Sequence, residues 1–212
     1  MERHPDLEER SVKGVVELDG GDRLVGYAAK FGTRSQDLGG FVETIAPGAF
    51  SKAIGDGQDV VAYWNHNRDA ILGRVSAGTV RLSQDDVGLR YEVDLPDTTA
   101  GRDVAVSVAR GDIRHSSFAF RAIDDEWDTL DDGTPLRTLH AVQLYDVSPV
   151  SEPAYLDTTA ALRSLEQQRP ASDPEPEAQP ASTPRQLDHL RLALAAKRLP
   201  AAASQHRHTH QT

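Results

Sequence analysis

The stretch Gly111-Asp112-Ile113-Arg114-His115-Ser116-Ser117-Phe118-Ala119-Phe120 reads as a helix stop that runs into a strand, with two hydroxyls just ahead of two aromatics. Upstream of it, Val104 and Val108 recur at helical spacing, Thr98-Thr99 can cap the helix start, and Gly111 supplies its stop after Arg110. Strand alternation then places His115, Ser117 and Ala119 on one face, and Ser116, Phe118 and Phe120 on the other. Ser116 and Ser117 are therefore not equivalent candidates for hydroxyl chemistry.

Downstream, Asp131-Asp132-Gly133 is a turn signal, and Leu136 to Ser148 reads as a long strand with Val142, Leu144 and Asp146 on one face. A carboxylate thus interrupts an apolar row. Upstream, the apolar run Val60-Val61-Ala62-Tyr63-Trp64 ends in polar Asn65-His66-Asn67-Arg68-Asp69 before Ile71 to Val75 resumes a sheet. His66 therefore stands at a strand end, where functional side chains are commonly displayed. Thr79 to Ser83 and Gly88 to Leu95 flank the turn Gln84-Asp85-Asp86 as two more strands. Two apolar runs around Asp19-Gly20-Gly21-Asp22 read as a hairpin, and a short helix is expected over 46–54, with Pro47 in its first turn and Gly55 at its end. Residues 1–11 are polar and expected to be loose, which puts the folded domain at 12–166, closed by a short helix from Thr158 to Leu165. Residues 167–184 are rich in Pro, Ala, Ser and Glu and cannot repay the entropy of folding, so they read as a disordered linker. Residues 185–199 fit one amphipathic helix too short to be stable without a partner, followed by a His-rich disordered tail at 200–212.

Composition removes several function classes. The 212 residues contain no cysteine, so disulfides, thiolate metal sites and a cysteine nucleophile are excluded. A net charge of -10 without a basic patch argues against nucleic-acid binding. No apolar run approaches the ~20 residues of a membrane span, and Met1 to Asp6 lack the apolar stretch of a signal peptide, so a soluble protein retained where it is made is expected. His206-Arg207-His208-Thr209-His210 reads as a solvated tail before it reads as a chelator. No HExxH or Walker motif is present, and no metal or cofactor is expected.

Hydroxyls and carboxylates must then carry any covalent chemistry. A serine hydroxyl needs a base within hydrogen-bond reach, and histidine suits that role; an acid behind the histidine fixes its tautomer and steadies the imidazolium. Ser117, His66 and Asp146 can supply these parts from three strands. Each also has a plainer reading: His66 as a loop histidine, Ser117 as a small residue for close strand packing, and Asp146 as the partner of an arginine such as Arg74. His140, placed on Asp146's face, competes for the third position, and Ser116 for the first. His115 shares Ser117's face and is expected to line a cleft rather than act as base.

Four blocks occur in order: Glu43-Thr44-Ile45-Ala46-Pro47-Gly48-Ala49-Phe50; Trp64-Asn65-His66-Asn67 with Leu72-Gly73-Arg74; Gly111-Asp112-Ile113 to Ser117-Phe118-Ala119-Phe120; and Leu144-Tyr145-Asp146-Val147-Ser148-Pro149-Val150 with Pro153-Ala154. Together they resemble the prohead maturation proteases of tailed bacteriophages, a serine peptidase family similar in fold to the herpesvirus assemblins. The resemblance implies an α+β, mostly β architecture, a closed β-barrel with helices packed outside it. It also implies peptide-bond hydrolysis through an acyl-enzyme, with Ser117 as nucleophile, His66 as base and Asp146 as the orienting acid. The family commonly has Glu at this last position, and assemblins use a second histidine, which keeps His140 as the alternative. The implied substrates are the scaffold, or the scaffolding segment of the major capsid protein, and the protease itself, with the portal as a further partner. The implied setting is an immature prohead in the host cytoplasm, with the gene in a phage or prophage and a homodimer by analogy with assemblins. Self-cleavage would fall in 167–184, and 185–199 would dock on the assembling shell. The competing classes are a non-catalytic capsid-assembly protein that keeps the fold, and an esterase, which the lack of a Gly-x-Ser-x-Gly elbow disfavours.

Overall fold

A computed structural model describes residues 7–13, 16–152 and 165. The elements in order are β1 (Glu8–Val12), β2 (Val16–Asp19), β3 (Arg23–Lys30), β4 (Val42–Ile45), α1 (Ser51–Gly55), β5 (Val61–Trp64), β6 (Asn67–Arg74), β7 (Val80–Gln84), β8 (Gly88–Asp94), α2 (Thr99–Arg110), β9 (His115–Thr129) and β10 (Pro135–Val150). The expected closing helix, the linker, the C-terminal amphipathic helix and the His-rich tail fall outside the described residues, apart from Leu165.

The strands form two sheets. One runs β1-β9-β10-β5-β6 with β4 on β10, and the other runs β2-β3-β8-β7. The closed barrel implied by the family resemblance is not what forms. The first sheet ends at β1 and β6, the second at β2 and β7, and no ladder among the described residues joins these edges. Closure needs every edge strand to find a partner in a consistent stagger. Here β6 begins with exposed Asn67, Arg68 and Asp69, the polar side chains typical of an unpaired edge.

The long hairpin of β9 and β10 organises the first sheet. Its start and end are antiparallel pairs, Val150 opposite His115 and Pro135 opposite Thr129. β10 is long enough to hold two parallel neighbours in succession: Leu136 to Leu139 pair with β4, and Asp146 and Val147 with Val61 and Ala62 of β5. Between the sheets, Phe118 is fully buried, stacked on Phe120 at 4.8 Å and edge-on to Phe50 at 5.6 Å. Truncating such a ring costs about 3–5 kcal/mol.

Helix α2 follows its sequence signals. The Thr98 hydroxyl accepts from the Gly101 amide, Val104 and Val108 are its buried face, and Gly111 ends it in the left-handed region at φ 80. A Cβ on Gly101 would stand 2.1 Å from the Pro96 carbonyl oxygen, so the helix start can approach that backbone only with glycine. Residues 1–11 depart from expectation, because Glu8–Val12 form β1, antiparallel to β9 with Ser11 opposite Ser117. The stretch has no apolar alternation to announce a strand. Ion pairs of Glu8 and Arg10, described below, hold it instead.

Candidate active site

Three irregularities bring the site residues together. The first is the β5–β6 connection. Trp64 pairs with Asn67, so only Asn65 and His66 make the turn, both at φ 54. A two-residue hairpin turn with positive φ at both positions favours Asn at the first and usually takes Gly at the second, where His66 stands here. Tethers to the end of β10 hold it: the Asn65 amide donates to the Pro149 carbonyl at 3.1 Å, the Ser151 amide to Asn65 Oδ1 at 2.9 Å, and the His66 amide to Ser148 Oγ at 3.3 Å. The polar stretch 65–69 is thus a tight turn and the start of β6, not a loop.

The second irregularity is in β10. Leu144 pairs with Phe120 and Asp146 with Ala119, so Tyr145 is an extra residue in the ladder. Such a bulge re-aims side chains near functional sites. It moves Asp146 off the core-facing row of Val142 and Leu144, with which simple alternation groups it, and onto the face of Ala119 and Ser117. The third is β1, which covers Ser117: the serine is fully buried, and its Oγ donates to the Arg10 carbonyl at 2.8 Å.

The resulting distances are short. His66 Nε2 lies 2.7 Å from Ser117 Oγ, and His66 Nδ1 lies 2.6 Å from Asp146 Oδ1. His66 and Asp146 side chains are each 11% exposed, so bulk water competes weakly for these bonds. Ser148, which the sequence reading had not singled out, donates from Oγ to Asp146 Oδ1 at 3.1 Å and stands 3.3 Å from His66 Nδ1. Its place two residues after Asp146, on the same strand face, was the available signal.

The competing residues lie elsewhere. Ser116 points to the opposite face and shares a 2.7 Å hydrogen bond with the buried Tyr91 hydroxyl. Burial pushes the Tyr91 pKa up, although the bond from Ser116 opposes this, so the phenol stays protonated. His140 sits at another register break of β10 and faces Glu126 Oε2 at 3.3 Å, away from Ser117. Arg74, weighed as a partner for Asp146, pairs instead with Asp59 at 2.7 Å. His115 is half-buried on Ser117's face; burial first, and then Arg114 and Lys13, lower its pKa, which keeps it neutral near pH 7. No cluster of His, Cys, Asp or Glu among the described residues is arranged to hold a metal ion.

Beside this group lies a buried ionic network. Arg10 binds both carboxylate oxygens of Glu43, at 2.8 and 3.0 Å, and Glu8 at 2.6 Å. Arg137 binds Glu8 at 2.9 Å, Glu43 at 3.2 Å and Asp125 at 2.6 Å. Burial acts to lower the Arg10 pKa, but the surrounding carboxylates outweigh it and hold the guanidinium charged.

The solved capsid assembly protease of bacteriophage T4 is similar at 11% identity and a TM-score of 0.45, over 68% of this chain and 97% of that one. No curated protein matches the chain. The family described as caudovirus prohead serine protease matches residues 6–170, the greater part of the sequence and every residue of the site. The chain belongs to the caudovirus prohead serine protease family.

Proposed function

We propose that Ser117, His66 and Asp146 form the catalytic triad of an endopeptidase that cleaves the scaffold, or the scaffolding segment of the major capsid protein, in immature proheads. The observation that carries this reading is the continuous chain from hydroxyl to imidazole to carboxylate at 2.7 and 2.6 Å. Once a peptide carbonyl carbon faces Ser117, its Oγ attacks while Nε2 of His66 takes the hydroxyl proton. The carbonyl pair moves to the oxygen, and Nδ1–H stays on Asp146, which steadies the imidazolium. Collapse of the tetrahedral intermediate expels the amine, which receives the proton from Nε2, and leaves an acyl-Ser117. Water, deprotonated by the same nitrogen, then releases the acid. Asp146 is one methylene shorter than the Glu common in the family. The Tyr145 bulge and the hydroxyl of Ser148 support it in compensation.

The same reading makes the protease itself a second substrate, with 167–184 as the self-processing region. It places the enzyme inside the prohead in the host cytoplasm, facing capsid, scaffold and portal, with homodimerisation as the assemblin parallel. Co-expression with the cognate major capsid protein tests it. Shortening of the capsid protein should appear with the wild type and vanish with Ser117→Ala and with His66→Ala. Shortening that persists in both variants would overturn the triad, and a capsid protein left whole by the wild type would favour a non-catalytic assembly factor.

A further inference from the structure

We propose that β1 occupies the substrate channel of the enzyme, and that Glu43 makes this channel selective for a basic side chain on the residue whose carbonyl meets Ser117. The inference rests on the triad reading and extends it to specificity and latency.

The position of β1 is that of an added strand. It is the edge of its sheet and pairs antiparallel with β9, with Glu8 to Val12 set against Phe120 to Ser116. An extended peptide that adds to a sheet edge gains main-chain hydrogen bonds for affinity and side-chain pockets for specificity. The main chain of β1 meets the nucleophile directly, because the Arg10 carbonyl oxygen lies 2.8 Å from Ser117 Oγ. No substrate can reach Ser117 while β1 lies there, since the serine is fully buried.

The contact is unproductive, and proton counting shows why. Ser117 has one hydroxyl proton and two neighbours, Arg10 O and His66 Nε2. The carbonyl can only accept, so the hydroxyl donates to it. The hydroxyl proton is then turned away from Nε2, the atom that would have to take it. The strand also presents its carbonyl oxygen, rather than its carbon, to the hydroxyl. It therefore stays uncut.

The side chain of Arg10 reports the pocket. Its guanidinium donates a two-pronged bond to Glu43 and lies 5.3 Å from the centre of the Phe120 ring. A planar fork matched to a carboxylate is a specific recognition geometry. Glu43 sits on β4 and remains when β1 leaves. An incoming peptide that replaces β1 on β9 would place its own side chain there, where lysine or arginine restores the charge balance and glutamate opposes it. A way out exists, because a cleft of about 450 Å³ follows β1 from Glu9 to Lys13, bounded across the gap by Thr33 to Gln36.

A binding experiment on uncut protein tests this apart from catalysis. Full-length Ser117→Ala and the double variant Ser117→Ala/Arg10→Ala are titrated with fluorescent peptides of the sequence Glu-Glu-Arg-Ser-Val, and with the counterpart carrying Glu for Arg. The expected result is binding of the Arg peptide by the double variant at least tenfold tighter than of the Glu peptide, and at least tenfold tighter than by Ser117→Ala alone. Equal affinity for both peptides, no gain from Arg10→Ala, or no binding would overturn the proposal. Should Arg10→Ala misfold, Glu9→Cys/Ala119→Cys in the Ser117→Ala chain supplies a second arm, as the natural sequence has no other thiol. Oxidation that locks β1 should abolish Arg-peptide binding and reduction should restore it; binding indifferent to the lock would overturn the proposal. An intact capsid protein in the co-expression test, beside the expected peptide binding, would instead locate the failure in the proposed hydrolysis.

Discussion

Around Ser117, four small polar side chains share a few protons; around Arg137, two guanidiniums and three carboxylates share charge. Both groups are largely buried and both lean on the β9–β10 hairpin, yet different forces hold them. The Ser117 group owes its geometry to the backbone: a bulge at Tyr145 and a turn with two residues at φ 54. The Arg137 group owes its geometry to charge, and it ties together β1, β4, β9 and β10. Stranding a desolvated charge costs more than removing a neutral hydroxyl such as that of Ser117. The first group should therefore fail in chemistry and the second in stability.

Loss of the proposed nucleophile or base should have the largest effect. Ser117→Ala and His66→Ala are each expected to lower the cleavage rate by roughly 10⁶-fold, and Asp146→Asn by roughly 10⁴-fold, with the thermal midpoint of Ser117→Ala close to wild type. A matching fall in stability would erase the contrast between the two groups. Next comes Arg137→Met, which leaves Glu8 and Glu43 sharing Arg10 as their one remaining guanidinium and should cost about 3–5 kcal/mol in urea unfolding. A loss below about 1 kcal/mol would mean the network is not dry. Asn65→Ala loses both the bond from the Ser151 amide and a residue tolerant of positive φ, and should cost about 1–2 kcal/mol together with a fall in kcat, because the turn positions His66.

Ser148→Ala removes one donor to Asp146 and is expected to lower kcat by roughly tenfold at unchanged stability; rescue by Ser148→Thr would separate positioning from packing. The smallest effect belongs to an exposed ion pair that serves as control. Hydrogen bonds from Arg81 lower the Asp94 pKa to about 2 from the usual 3.8. A depressed carboxyl pKa adds stability above the unfolded value, and that stability is lost as pH falls from about 4 through about 2. With about half of Asp94 exposed, the loss should stay below ~1 kcal/mol. Comparing wild type with Asp94→Asn in urea at pH 5 and pH 2 measures it.

Sequence patterns announced most of the strands and both helices within the described residues, because periodicity and turn chemistry are local. They also offered Ser117, His66 and Asp146 as candidates beside Ser116 and His140, with the choice leaning on family blocks, since separation along a chain says nothing of approach in space. Two features of the site were illegible. Alternation assigned Asp146 to the face of Leu144, and only the extra residue at Tyr145 reverses that; nothing in Leu-Tyr-Asp-Val marks a bulge. The strand at Glu8–Val12 was missed because ion pairs, not an apolar face, fasten it, and its partners Glu43 and Arg137 lie far along the chain. The expected barrel failed for a related reason: closure depends on which edges meet, and the charged start of β6 leaves its edge unladdered.

Covalent trapping tests the central claim most directly. A small fluorophosphonate added during co-expression with the capsid protein, followed by peptide mapping, reads out the activated hydroxyl. The account predicts a single adduct, on Ser117, retained in Ser116→Ala and lost in His66→Ala. An adduct on Ser116 or elsewhere, or one on Ser117 undiminished without His66, would contradict it.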